Sequence, residues 1–402
     1  MDPLRSHYLL AYAVFGIVQP YAPLLLKDAG LTQNEIGWVI ALFGVSVFIT
    51  PPLLSALADL HLQPRRLIAG IFLVMSFGLA LFAQAEGLVF AAVGYALVAL
   101  CITPTFPVSD ALHFRVEAER PADVPETPFH RIRVYGAYGF ILPAVPLAIF
   151  LPDGGLGSRL AMVFGIVVCL LTILNTRRLP TVRHEVATGS LAAFPTWTAA
   201  SRLLRPDARW FCLAVLLFSC SLSAYYGFYP LHLRELGVGD RYIALIVALG
   251  VIAEVFCTLT FGWLRSRIGL RGVVILGAGA LCVRLLLLYA VPTAAAAIVS
   301  QLFHGPAMLL LVIAVPVFLN QLAGRTDRTS IQGVFAFMVF GLGRTLGPIV
   351  PGFVPDNNLS TVFAMGMTLS GIATLILVLG FREPSDQTRP VESAMPAASP
   401  RP

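Results

Sequence analysis

Apolar runs long enough to cross a bilayer recur from one end of the chain to the other, each separated from the next by a few polar residues. The runs predict twelve helical spans at 7–26, 36–58, 67–85, 88–112, 131–151, 158–176, 210–233, 240–264, 272–291, 295–319, 330–353 and 360–381. The longest polar interruption, 177–209, falls between the sixth and seventh spans. It divides the chain into a first bundle (1–176) and a second (210–381), with a tail (382–402) whose Pro, Ser and Ala content predicts disorder. The expected fold is therefore an all-α membrane protein of two six-helix bundles. Gly16, Pro20 and Pro23 punctuate the first run, which reads as a retained span and not as a cleaved signal.

Composition sharpens this picture. Of the 402 residues, 57% are hydrophobic and 12% charged, about half the charge of a soluble domain. Both a soluble globule and a disordered chain are excluded. The 34 glycines and 29 prolines suit spanning helices, which tolerate both. The six cysteines sit inside apolar runs without metal-ligand spacing and read as small hydrophobes. The net charge of +6 reflects orientation and not nucleic-acid binding. With the N-terminus placed inside, only Lys27, Arg159, Arg234 and Arg241 fall on the outer side and Arg284 and Arg344 within spans, while the other basic residues are cytoplasmic. Both termini are expected in the cytoplasm, in a cell or inner membrane.

The halves repeat. Pro23 through Leu31, containing Lys27-Asp28 and Gly30, aligns with Pro230 through Val238, containing Arg234-Glu235 and Gly237. At the same offset Ser55–Asp59 lies over Gly262–Ser266, so the bundles look duplicated. Asp59 with Arg65 and Arg66, and in the second copy Arg265, Arg267 and Arg271, form either a charge-assisted latch between helix ends or simple anchors at the headgroups.

Together, the twelve spans, the duplicated halves, the basic central loop and the Ser55-x-x-x-Asp59…Arg65-Arg66 signature resemble the major facilitator superfamily. Within it, the chain is similar to the oligosaccharide:proton symporters typified by lactose permease and to phenylpropionate-permease-like transporters. Asp110 followed by Arg133 is similar to the sugar-contacting ion pair of the symporters. Val283-Arg284 and Leu302-Phe-His304 resemble their arginine and histidine segments. Glu254 lies near their span-8 acid. The resemblance implies alternating access, but Ala307 stands where those symporters carry their proton-binding Glu.

Read on their own, Glu254, Arg284, His304 and Arg344 fall near the middle of spans, where each charge costs about 2.5–3.5 kcal/mol to insert. They are expected to face a shared aqueous cavity or one another. Two arginines against one glutamate leave a surplus positive charge. His304 is either part of a polar site with Gln301, three residues earlier, or a lone histidine bonded to backbone. Asp110 and Arg133 form either a surface bridge or a binding pair. Tyr225, Tyr226 and Tyr229 either line a cavity or pack. Gly343-x-x-x-Gly347 brings a neighbouring helix close to Arg344.

The expectation is a secondary transporter, not an enzyme: no Walker A sequence, nucleophile–base pair or zinc-binding motif is present. It works without a cofactor, with the proton as coupling ion. Glu254, Arg284 and His304 would couple the proton. Asp110, Arg133, Arg344, Gln301, Tyr225 and Tyr229 would bind a small organic anion, such as an aromatic or short carboxylate. A sugar or nucleoside symporter, or an exporter on the same fold, is the alternative. The remaining expected partner is the lipid bilayer, around a monomer.

Overall fold

The computed structural model describes residues 2–59, 63–120, 127–181, 197–206, 208–322, 328–354 and 358–382. Among them every regular element is helical. The first half contains α1 (Pro3–Asp28), α2 (Gln33–Asp59), α3 (Pro64–Ala83), α4 (Leu88–Ala118), α5 (Phe129–Ile141), α6 (Ala144–Phe150) and α7 (Gly155–Thr176). A short helix, α8 (Trp197–Leu203), precedes the second half. That half contains α9 (Arg209–Glu235), α10 (Asp240–Ala290), α11 (Ala294–Ser300), α12 (His304–Leu309) and α13 (Val315–Leu322). It ends with α14 (Arg328–Ala336), α15 (Arg344–Gly352) and α16 (Leu359–Gly380).

These helices make twelve spans in two six-helix bundles, as the apolar runs predict. The 51-residue α10 is two spans, because Gly269 breaks the helix with φ 69° and ψ 174°, a backbone that a side chain at that position would resist. α5 and α6 form one span interrupted at Leu142 and Pro143. α11 to α13 form another, joined by a 3₁₀ turn at Gln301–Phe303 and a π-helical stretch at Leu310–Ala314. A second π-helical stretch, Phe337–Gly343, joins α14 to α15 and ends at Arg344. Helix starts follow local chemistry: Asp2 accepts from the Leu4 amide, Thr293 from Ala296 and Asn358 from Thr361.

In the first half α1 packs on α5 and α7, while α3 packs on α4 and α7. In the second, α9 packs on α15 and α16, and α10 on α12 and α16. The halves meet through α2 with α15, α1 with α9, and α10 with α5 and α6. The outward-facing surface is apolar: Phe77, Phe90, Leu259 and Leu379 are all exposed. So continuous an apolar exterior suits lipid and not water.

Two parts of the sequence-based expectation lie outside the described residues. One is most of the central loop together with the tail from residue 383. The other is the side chain of Asp59, and with it the expected latch to Arg65 and Arg66. In the second copy, Arg265, Arg267 and Arg271 are exposed; Arg267 lies over the Trp263 ring, and Arg271 donates to the Val378 carbonyl at 2.6 Å.

Candidate functional site

Arg284 is fully buried in the second half of α10. A guanidinium there must be met by acceptors, and hydrogen bonds to a charged group contribute about 1.5–3 kcal/mol each. Its Nη1 donates to His304 Nδ1 at 2.9 Å, and its Nη2 to Gln301 Oε1 at 2.7 Å and to the Tyr225 hydroxyl. The guanidinium also lies 3.7 Å from the Tyr225 ring centroid and 5.9 Å from that of Tyr229. Gln301 Nε2 donates to the same Tyr225 oxygen at 3.0 Å, and the Tyr229 hydroxyl donates to the Ala297 carbonyl at 2.9 Å. The 3₁₀ turn at Gln301–Phe303 lets Gln301 and His304 reach one guanidinium.

This arrangement fixes the histidine. Arginine only donates, so His304 Nδ1 is an acceptor, and the neutral ring carries its proton on Nε2. Nε2 faces Glu254 Oε2 at 3.7 Å. Close helix approach makes this possible: a Cβ on Gly250 would strike Gln301 Oε1 and the His304 ring, and one on Gly305 the Ala253 carbonyl. Arg284 and Glu254 are therefore connected through His304, not by direct contact. The Glu254 side chain is 27% exposed.

Arg133 and Asp110 form the expected ion pair, with Arg133 Nη1 at 3.2 and 3.1 Å from the two carboxylate oxygens. The Tyr8 hydroxyl donates to Asp110 at 2.6 Å, and Arg133 lies 5.3 Å from the Tyr12 ring centroid. Tyr8 and Tyr12 were not singled out in the sequence, although their i, i+4 spacing puts both on one face of α1. At 43% and 26% exposure, Arg133 and Asp110 are reachable by solvent, toward the end of the bundles where α1 begins and α4 ends.

Arg344 stands apart. Tyr226 lies between it and the buried cluster, its ring edge-on to His304 at 6.1 Å. Arg344 makes no hydrogen bond or ion pair with any described residue and rests over the Phe43 and Phe340 rings, 4.9 and 5.5 Å from their centroids. It lines a void with Phe15, Phe43, Tyr95, Ile102, Tyr226 and Pro348 among its walls. Gly343 and Gly347 face Ser219 and the Cys220 carbonyl of α9 so closely that neither has room for a Cβ, the close packing expected of that motif. The sequence placed Arg284, Arg344 and Glu254 in one cavity or against one another. The structure separates them: Nη1 and Nη2 of Arg284 donate to neutral groups while its buried Nε has no partner among the described residues, and Arg344 makes no hydrogen bond or ion pair with any of them. Tyr225, Tyr229 and Gln301, expected at the substrate, surround Arg284, 3%, 1% and 2% exposed, and do not line the Arg344 void.

A further cluster joins the halves at the end where α1 and α9 finish. Arg234 of α9 binds Asp28 of α1 at 2.7 and 3.1 Å and Asp240 at 2.9 and 2.7 Å. Ser158 donates to Asp28 at 2.6 Å, the Gly154 amide to Asp240 at 3.0 Å, and Tyr21 to the Asp240 carbonyl at 3.0 Å. Arg241 clamps Asp153 at 2.7 Å and holds its carboxyl below the usual aspartate range. A contact with a depressed carboxyl pKa stabilises above the ordinary value of about 3.9 and is lost only as acid protonates it. This end is thus latched shut. Replacing Arg234 by Gln should leave Asp28 and Asp240 facing each other without a cation. Spin labels on the two halves at this end should then report an open population raised at least tenfold, from loss of about 1.5–3 kcal/mol per charged hydrogen bond. An unchanged distance distribution would contradict the latch.

Two packed helical bundles, with charged groups inside spanning helices and an ion-pair cluster joining them at one end, have the architecture of a membrane transporter. Comparison with known proteins gives the family. The profile of the MFS_1 like family matches residues 3–365, and the chain belongs to that family of the major facilitator superfamily. It is 23% identical over 365 residues to the Escherichia coli (strain K12) protein named "Probable 3-phenylpropionic acid transporter", covering 87% of this chain and 90% of that one. It is 26% identical over 397 residues to the xanthosine permease of the same organism, covering 94% of each. The crystal structure of the nucleoside transporter NupG superposes with a TM-score of 0.80 at 20% identity, over 94% of this chain and 96% of that one. The protein is a multi-pass membrane transporter of the major facilitator fold and not an enzyme.

Proposed function

We propose that the protein is a proton-coupled symporter of a small organic anion, an aromatic or short carboxylate, acting by alternating access with its termini in the cytoplasm of a cell or inner membrane. The observation that carries this reading is Arg344, a cation without a protein partner among the described residues, in a void with largely apolar and aromatic walls. A carboxylate would supply the missing charge through the two-pronged contact that guanidinium favours, and the walls would take an apolar tail. The name of the phenylpropionate relative agrees with that chemistry.

Glu254 is the proton carrier, and His304, held by Arg284, faces its carboxylate. The Arg133–Asp110 pair sets the field at the mouth of the cavity. The two bundles rock about this centre, and the Arg234 cluster closes the outer mouth when the inner one is open. A nucleoside is the second reading, favoured by the likeness to xanthosine permease and NupG.

Proton and anion should assist each other, because protonating Glu254 removes a negative charge whose field opposes the incoming anion; linkage makes the effect reciprocal. Calorimetry on the purified protein with 3-phenylpropionate, xanthosine and maltose, on the acid and alkaline sides of neutrality, is the test. The carboxylate is expected to bind, and more tightly at the lower pH. Tight, pH-independent binding of maltose with none of the acid would defeat the anion reading.

A further inference from the structure

Two polar side chains in the Arg344 void have no use in carboxylate binding. Gln19 of α1 and Ser223 of α9 both line it, and neither makes a hydrogen bond with any described residue. Their polar atoms are not sealed in the packing either, so they face the void. Ser223 is 7% exposed, and its hydroxyl departs from the habit of its neighbours in this fold. Thr105, Ser109, Thr172 and Ser370 each donate back to the carbonyl four residues earlier in their helices. In water an unpaired amide or hydroxyl costs nothing. Once a ligand displaces that water, each must be paired by the ligand or remain an uncompensated buried dipole.

We propose that the substrate carries a second hydrogen-bonding group besides its carboxylate, a hydroxyl on the aromatic portion, and that Gln19 and Ser223 hold it. The proposal rests on the anion reading of Arg344 and narrows it to hydroxyaromatic carboxylates. The match is chemical: an amide side chain and a hydroxyl each offer both a donor and an acceptor, and a substrate hydroxyl also offers both. The two residues come from opposite halves, so one substrate group bridging them ties α1 to α9. A ligand without that group fills the void but leaves both dipoles unpaired, which is how a polar site rejects an apolar analogue. Gln19 and Ser223 are then specificity-determining residues, and Arg344 supplies affinity for the whole class.

The test compares 3-phenylpropionate with its meta- and para-hydroxyphenyl counterparts by calorimetry on wild type, Gln19→Leu, Gln19→Met, Ser223→Ala and Arg344→Gln. Melting curves check that each variant is folded, and the two Gln19 variants guard against one failing to fold. Wild type should bind at least one hydroxylated acid about tenfold more tightly than the parent acid, the difference expected when one buried polar group is paired instead of stranded. Both Gln19 variants should bring that ratio close to one by losing the hydroxylated ligand and keeping the parent. Ser223→Ala should reduce it. Arg344→Gln should weaken all the acids together and leave the ratio intact. A wild-type ratio of one, or a ratio that survives both Gln19 variants, overturns this proposal while leaving the anion reading standing. Failure of every acid to bind wild type overturns both.

Discussion

Glu254→Gln abolishes accumulation of substrate against a gradient while leaving exchange of substrate across the membrane intact. This is the expected result of removing the carboxylate that faces His304 Nε2 at 3.7 Å. Glutamine keeps the shape and polarity of a protonated glutamate but cannot release a proton, so the carrier is held in its loaded form. Exchange needs only the loaded form to shuttle, whereas net uphill movement needs the proton to leave. The effect should be all-or-none in accumulation, because the second acid of the symporters is replaced here by Ala307, which is fully buried. With one proton carried per cycle, each unit of pH difference is worth about 1.4 kcal/mol, or about tenfold accumulation. Proteoliposomes measure both halves of the prediction: uptake under a pH gradient should fall to simple equilibration, and counterflow of labelled against unlabelled substrate should continue. Wild-type accumulation in this variant would remove Glu254 from the coupling role.

Arg344→Gln should weaken a carboxylate substrate by about 1.5–3 kcal/mol, roughly ten- to hundredfold in Kd. The guanidinium has no protein partner among the described residues to leave behind, so its loss strands nothing and the change reads as lost ligand contact. Arg344→Lys should recover part of the affinity, since the charge returns but the planar fork does not. The neutral-sugar reading predicts something different. It places the affinity in Asp110 and Arg133, which already satisfy each other and Tyr8, and predicts no effect at Arg344. Calorimetry on Arg344→Gln and Arg344→Lys separates the two.

The spans were legible because a bilayer imposes a length and an apolarity that few other environments demand. Even the fused α10 was readable as two spans, since the basic Arg265 to Arg271 segment had to lie outside the membrane. Glu254, Arg284, His304 and Gln301 were legible because a charge at mid-span is too costly to be incidental. Their pairing was not. Nothing in the local pattern shows that His304 and Gln301, instead of Glu254, would accept from Arg284, because that depends on the 3₁₀ turn and on the close approach at Gly250 and Gly305. Arg344 was visible as a charge but not as an unpaired one. The Arg234 cluster was hidden for another reason: at a helix end it looks like any interfacial arginine, and its partner Asp28 lies 206 residues away. Gln19 and Ser223 left no signal, as a single amide or hydroxyl in an apolar run costs too little to stand out.

The proposed symport moves one proton with one organic anion. Such a pair crosses the membrane without net charge, so a pH difference drives it and a membrane potential does not. A proton moving with a neutral sugar or nucleoside would carry its charge across and gain about 2.3 kcal/mol per 100 mV. Uptake of labelled 3-phenylpropionate or a hydroxylated counterpart into proteoliposomes, under a pH gradient at zero potential and then under a potential at equal pH, is the decisive measurement. Accumulation is expected in the first condition and none in the second. No accumulation under the pH gradient, or accumulation driven by potential alone, would contradict the proposed symport.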